Sequence, residues 1–354
     1  MLPPLTSDPH APDFTGHHVS KFNPPTDCLA VILSVAGASL TPQEITLFKQ
    51  SRPYGFILFA RNCENPAQLR KLCADLRACV GFDCPILVDQ EGGRVQRLKA
   101  PHWRAYPAAR HFGITAESDR HHGEDKALSD LRYTTLQMAE DLVDVGIDVN
   151  CAPTLDVPSA GAHDVIGDRA YGGDPALCGR FGVEVCRSYL AAGVIPVMKH
   201  LPGHGRATCD SHKELPRVSA DISSLEEQDF EPFRIVSQSD VGRYIWAMVA
   251  HIIYDMIDPE HPSSVSPSII DQVIRGHIGF DGVLVSDDIS MEALSEYGGV
   301  VDRAMACLES GCDFALYCAG KLSEMQDIVK IVPNIGEKTR QRLQFGAELG
   351  SLTE

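Results

Sequence analysis

The sequence predicts an α/β fold, a single TIM-type (β/α)8 barrel of parallel strands. Two observations carry this. Eight short apolar runs alternate with longer amphipathic segments, and nearly every run delivers charged or hydrogen-bonding side chains at its C-terminal end, where parallel barrels assemble their sites. The runs are 29–37, 55–62, 85–93, 147–157, 193–203, 244–254, 282–290 and 313–320. Eight is the number that closes a parallel barrel. An open doubly wound sheet is the competing architecture, but the one glycine-rich strand end, DQEGGRVQR at 89–97, lacks the GxGxxG spacing of a phosphate loop.

Helix signals fill the intervals. Thr41-Pro42-Gln43-Glu44 reads as a capping box with proline at the first helical position, and Ser266-Pro267 begins another helix. The segment opened by Asn65-Pro66 places Leu69, Leu72, Cys73, Leu76 and Val80 on one face, as docking against a barrel requires. Residues 1–27, rich in proline, histidine and polar side chains, read as an N-terminal extension, and 28–354 as the catalytic barrel domain.

Composition narrows the function. With 31 basic and 48 acidic residues the formal charge is -17, which supplies no broad basic footprint for nucleic acid. The twelve cysteines include no CxxC pair and several fall in apolar stretches, the pattern of small buried hydrophobes in a reducing compartment. The N-terminus lacks a basic start followed by an apolar run, and no apolar run is long enough to span a membrane, so a cytoplasmic protein is expected.

Polar residues then mark the site. Asp89, Glu91, Arg94 and Arg97 follow the third run; Asp156, Asp168 and Arg169 the fourth; Lys199, His200, His204, Asp210 and His212 the fifth; His251 and Asp255 the sixth; Asp287 and Asp288 the seventh. Each alone could cap a helix or pair with a neighbour. In GVLVSDDIS, four apolar residues set a buried strand with an acid at its tip, suited to nucleophilic attack on an electrophilic carbon. Which of Asp287 and Asp288 faces the mouth stays open, because successive side chains point to opposite sides.

His200 and His204 have the i,i+4 spacing of a helical zinc pair, which raises a barrel metallohydrolase as an alternative; Pro202, Gly203 and Gly205 oppose a helix there, so no metal is assigned. Asp210-Ser211-His212 places an acid two residues from an imidazole, an arrangement able to move a proton near neutral pH. A sugar-binding barrel without turnover is a further reading.

DQEGGRVQR, VIGDRAY at 165–171, KHLPGHG at 199–205 with the following DSH, and GVLVSDDIS at 282–290 resemble family 3 glycoside hydrolases, in family order from about residue 28 to about 320. They are most similar to the bacterial β-N-acetylhexosaminidases that recycle peptidoglycan. The resemblance implies a retaining exo-β-N-acetylglucosaminidase with Asp287 as nucleophile, His212 as general acid/base and Asp210 as its partner. It further implies that Asp89, Arg97, Arg169, Lys199 and His200 bind the terminal N-acetylglucosamine of a small muropeptide substrate, with no cofactor, no membrane insertion and a monomeric state. Glu91, Arg94 and His204 are expected to be scaffold, Glu91 and Arg94 orienting Asp89 or each other. About 34 residues follow the last run, too few for the second domain that supplies the acid/base in other members, so the proton donor is expected from a barrel loop. Leu201 and Ile289 replace residues usual in the motifs, which leaves the reacting groups in place.

Overall fold

The computed structural model describes residues 23–159, 161, 163–207, 209 and 214–352. Eight parallel strands close into one barrel: β1 (Leu29–Leu33), β2 (Pro53–Leu58), β3 (Ile86–Val88), β4 (Val149–Asn150), β5 (Ile195–Leu201), β6 (Trp246–Val249), β7 (Val283–Asp288) and β8 (Phe314–Leu316). Each pairs with its neighbours in sequence, and β8 returns to β1 through Val31 opposite Ala315. Every predicted run therefore overlaps one barrel strand, and all but the second, whose strand begins at Pro53, contain it whole.

The strands are buried on both faces because helices cover the outside. Those helices are α1 (Pro42–Ser51), α2 (Pro66–Val80), α3 (Ala109–Ser118), α4 (Gly123–Asp144), α5 (Pro175–Ala191), α6 (Glu231–Ser237), α7 (Val300–Glu309), α8 (Leu322–Ile331) and α9 (Glu337–Leu352). Thr41 caps α1 in a capping box with Glu44, and Asn65 caps α2, whose Leu69, Leu72, Cys73, Leu76 and Val80 are buried as their spacing predicts. The Ser266 hydroxyl caps the backbone N–H of Ile269, but the helix it opens, Ile269–His277, winds with π rather than α periodicity.

At the N-terminal end the barrel is filled by aromatic rings from alternate strands. Tyr54 of β2 stacks on Phe314 of β8 with centroids 4.2 Å apart, and Trp246 of β6 lies 6.2 Å from Phe314. All three are buried. Such a layer makes the barrel a packed core, so a ligand has access from the opposite, C-terminal mouth.

The sixth run departs from its reading. Its strand ends at Val249, and Ile253–Tyr254 leaves the barrel to pair with Arg217–Val218 in a small parallel ladder. Asp255 consequently sits outside the mouth, where its carboxylate accepts from Arg217 at 2.6 Å and from the Ser219 hydroxyl. Residues 23–27 lie against the barrel domain: Arg340 donates to the carbonyls of Pro24 and Pro25, and Asp27 pairs with Arg52. Among the described residues Cys63, Cys79 and Cys318 are half-buried free thiols, Cys209 is half-buried, and the other cysteines are buried free thiols. Among the described residues no helix is long and apolar enough to cross a membrane.

Candidate active site

Asp89 follows β3 directly, and the loop after it is built to bring Arg97 back beside it. Gln90 is the peg. Its backbone N–H and C=O bond the Asn150 side chain on β4, while its own amide oxygen accepts from the N–H groups of Arg97 and Leu98. Gly92 turns the chain at φ 93°, and a Cβ there would stand 2.2 Å from the Pro107 carbonyl oxygen, so only glycine fits. Arg97 then donates to Asp89 at 3.0 Å and lies over the Phe59 ring at the end of β2, 5.5 Å from its centroid.

Lys199 and His200 come from the last turn of β5. The chain after β4 runs alongside them, with Leu155 N–H donating to the Lys199 carbonyl and Lys199 N–H to that of Pro153, which sets Asp156 next to His200. Lys199 is 2 % exposed, and its ammonium bridges Asp89 at 2.9 Å and Glu91 at 2.6 Å. Glu91 in turn accepts two bonds of 2.8 Å from Arg169. The Arg169 guanidinium approaches His200 Nε2 at 3.4 Å, and His200 Nδ1 lies 2.7 Å from Asp156. Seven side chains thus form one connected chain, Arg97, Asp89, Lys199, Glu91, Arg169, His200 and Asp156, with charge alternating from Arg97 to Arg169.

Electrostatics follow from that alternation. Burial alone would push the Asp89 and Glu91 carboxyls up, but Lys199 with Arg97 holds Asp89 well below the usual range, and Lys199 with Arg169 lowers Glu91 to about 2. Burial works against the charge of Lys199, which Asp89 and Glu91 more than restore. Three carboxylates therefore face three permanent cations at neutral pH, and the cluster carries no net charge apart from any proton on His200.

The two acids of β7 have separate fates. Asp288 is occupied: its carboxylate accepts from Ser290 N–H at 3.0 Å, the Ser290 hydroxyl at 2.6 Å and Cys318 N–H at 3.1 Å, while burial keeps it above the ordinary carboxyl range. Asp287 is half-buried and accepts from the Asp288 N–H. Burial raises the Cys151 and Cys318 thiols first, and the charges of both Asp89 and Asp287 raise them further, so the two acids lie near the same pair of thiols. His251 lies buried beneath, bonded to the Ser264 hydroxyl and near the Asp288 carbonyl.

All five predicted binding residues, Asp89, Arg97, Arg169, Lys199 and His200, are brought together. Asp210 and His212 lie outside the described residues. His200 and His204 are not a helical pair, since His200 ends a strand and His204 follows in a turn with its ring edge-on to His200 at 5.7 Å. Burial, then the neighbouring His200, lowers His204 to about 4. Arg94 holds the carbonyls of Asp164, Val165 and Ile166 and pairs with Asp168. Glu91 is not, however, its partner. It is the centre of the network, and the only sequence signal for that is its place two residues after Asp89. Asp156 was legible as a strand-end acid without a role.

A closed parallel barrel with a buried, charge-balanced network at its C-terminal mouth defines a barrel enzyme. The chain belongs to glycosyl hydrolase family 3: the model of that family's N-terminal domain matches residues 34–347. The "Beta-hexosaminidase" of Pseudomonas aeruginosa strain LESB58 is 36% identical over 295 residues, 83% of each chain. NagZ from Neisseria gonorrhoeae, solved in complex with N-trifluoroacetyl-D-glucosamine, superposes with a TM-score of 0.81 at 29% identity, covering 96% of this chain and 95% of that one. The family 3 β-N-acetylglucosaminidase of Paenibacillus sp. FPU-7 gives a TM-score of 0.79 at 28% identity over 92% of this chain, which spans 62% of that protein.

Proposed function

We propose that this protein is a retaining exo-β-N-acetylglucosaminidase that removes terminal β-linked N-acetylglucosamine from peptidoglycan fragments in the cytoplasm, acting as a monomer through its 28–354 barrel domain. The observation that carries the reading is the network beside Asp287. Its groups present fixed donors and acceptors without net charge, which matches a neutral ring whose hydroxyls both donate and accept. The names of the relatives support the sugar.

In this reading Asp89, Arg97, Arg169, Lys199 and His200 hold the terminal sugar with its anomeric carbon toward Asp287. An Asp287 carboxylate oxygen attacks that carbon as the bond to the leaving oxygen breaks, and protonated His212, oriented by Asp210, gives its proton to that oxygen. Water then loses a proton to neutral His212 and cleaves the glycosyl ester, restoring both groups. A carboxylate and an imidazole share the work that two carboxylates do in most glycosidases.

The test compares nitrophenyl N-acetyl-β-glucosaminide with nitrophenyl β-glucoside, following the first-formed anomer by NMR. Preferential cleavage of the N-acetyl sugar with β-product first is expected. Preference for the glucoside, or α-product first, would overturn the reading.

A further inference from the structure

Asp156 makes contacts that the sugar-binding roles do not use. It is 1 % exposed and accepts three hydrogen bonds: from the backbone N–H of His204 at 2.6 Å, from that of His200 at 3.3 Å, and at the His200 Nδ1 position at 2.7 Å. Burial disfavours its charge, yet the His200 side chain and these bonds outweigh burial and keep it below the ordinary carboxyl range. An ionised carboxylate can only accept. The partner nitrogen of His200 must therefore carry its proton toward Asp156.

We infer that Asp156 is a positioning residue that fixes the Nδ1–H tautomer of His200, so that the ring offers Nε2 to the ligand as a hydrogen-bond acceptor. Resting on the sugar-binding reading of His200, this adds a directional requirement: the sugar hydroxyl facing Nε2 must donate. Arg169 Nη2, 3.4 Å from Nε2, is the donor that stands there before the sugar arrives. The same carboxylate, by holding His204 N–H, pins the bend that follows β5, so ring orientation and loop path share one anchor.

Asp156→Asn exposes the logic, because an amide carries one acceptor oxygen and one donor nitrogen. If its oxygen faces Nδ1–H, its NH2 opposes the two backbone N–H groups. If the NH2 faces Nδ1, the imidazole must move its proton to Nε2, turning the ligand-facing acceptor into a donor. Either way the site loses one satisfied bond, and affinity for N-acetylglucosamine as a competitive ligand should fall about 10-fold or more.

The experiment is 15N-detected imidazole NMR of the intact protein near neutral pH, with the His200 resonances assigned by their loss in His200→Gln. The native protein should show His200 protonated at Nδ1, with Nε2 unprotonated in the neutral ring and perturbed when N-acetylglucosamine is added. Asp156→Asn should show the Nε2–H form or an upfield shift of Nδ1–H, with weakened sugar binding. A neutral His200 protonated at Nε2 in the native protein would overturn the inference, and this needs no variant to fold. So would a folded Asp156→Asn protein of unchanged tautomer and affinity. If the native tautomer is as inferred but N-acetylglucosamine leaves the spectrum unmoved, the sugar assignment fails and the Asp156 tautomer role stands.

Discussion

Replacing Glu91 with Gln should do more damage than its absence from the predicted contact residues suggests. The carboxylate is buried and takes three short bonds, one from Lys199 and two from Arg169. Glutamine keeps one acceptor oxygen and turns its NH2 toward a cation that already has only donors. Lys199 would retain Asp89, whereas Arg169 would lose at least one of its paired bonds. Removing one partner of a buried ion pair costs about 3–5 kcal/mol, and the retained acceptor returns part of this, leaving a loss of about 2–4 kcal/mol. The depression of the Glu91 carboxyl to about 2 corresponds to about 3 kcal/mol favouring the ionised form, the same scale. Urea unfolding would measure the stability, and KM for nitrophenyl N-acetyl-β-glucosaminide would report the loosened Lys199 and Arg169. Asp168→Asn is the control, since its pair with Arg94 is about half exposed and worth at most about 1 kcal/mol. Equal stability and KM for Glu91→Gln and native protein would refute the placement of Glu91 at the centre of the network.

Three further outcomes follow from the same structure. Gly205→Ala would place a Cβ 1.9 Å from the Val157 carbonyl oxygen, so thermal unfolding should show a loss of about 1–3 kcal/mol, whereas Gly37→Ala, with open space around its Cβ, should be near neutral. On acidification, His204, lowered to about 4, contributes stability that is present above its unfolded pKa of about 6.5 and lost toward pH 4, while Asp229, raised by burial to about 6 despite its pair with Arg206, gains stability over nearly the same range as it takes up a proton. The two terms, each about 3 kcal/mol, offset, so denaturant midpoints should change little between pH 6.5 and 4 and then drop as Glu91 and Asp89 protonate; Asp229→Asn should decline from pH 6.5 downward. For His212→Ala, turnover of natural disaccharides should fall about 100-fold or more, and the glycosylation step on an activated nitrophenyl leaving group far less; equal losses would count against His212 as proton donor.

The barrel was legible because its strands lie within apolar runs and several helices announce their starts with a cap, as at Thr41, Asn65 and Asp174. Strand-end placement also found the charged cluster, since a closed barrel carries every strand end to one mouth. What stayed hidden depends on contacts between distant segments. Glu91 reads as one acid in a polar loop until Lys199 and Arg169 arrive from β5 and the loop after β4. The Ser290 and Cys318 bonds that engage Asp288 likewise join β7 to the segments after it and leave no mark in GVLVSDDIS itself. Asp255 misled because the apolar character of 244–254 continues past the point where the chain leaves the barrel.

The claim that Asp287 forms the glycosyl ester is tested most directly by trapping. Inactivation with an activated 2-deoxy-2-fluoro glycoside, followed by proteolysis and tandem mass spectrometry, should place one sugar on Asp287, with Asp287→Asn remaining unlabelled. Label on Asp288 or any other residue, or unimpaired labelling of Asp287→Asn, would contradict it.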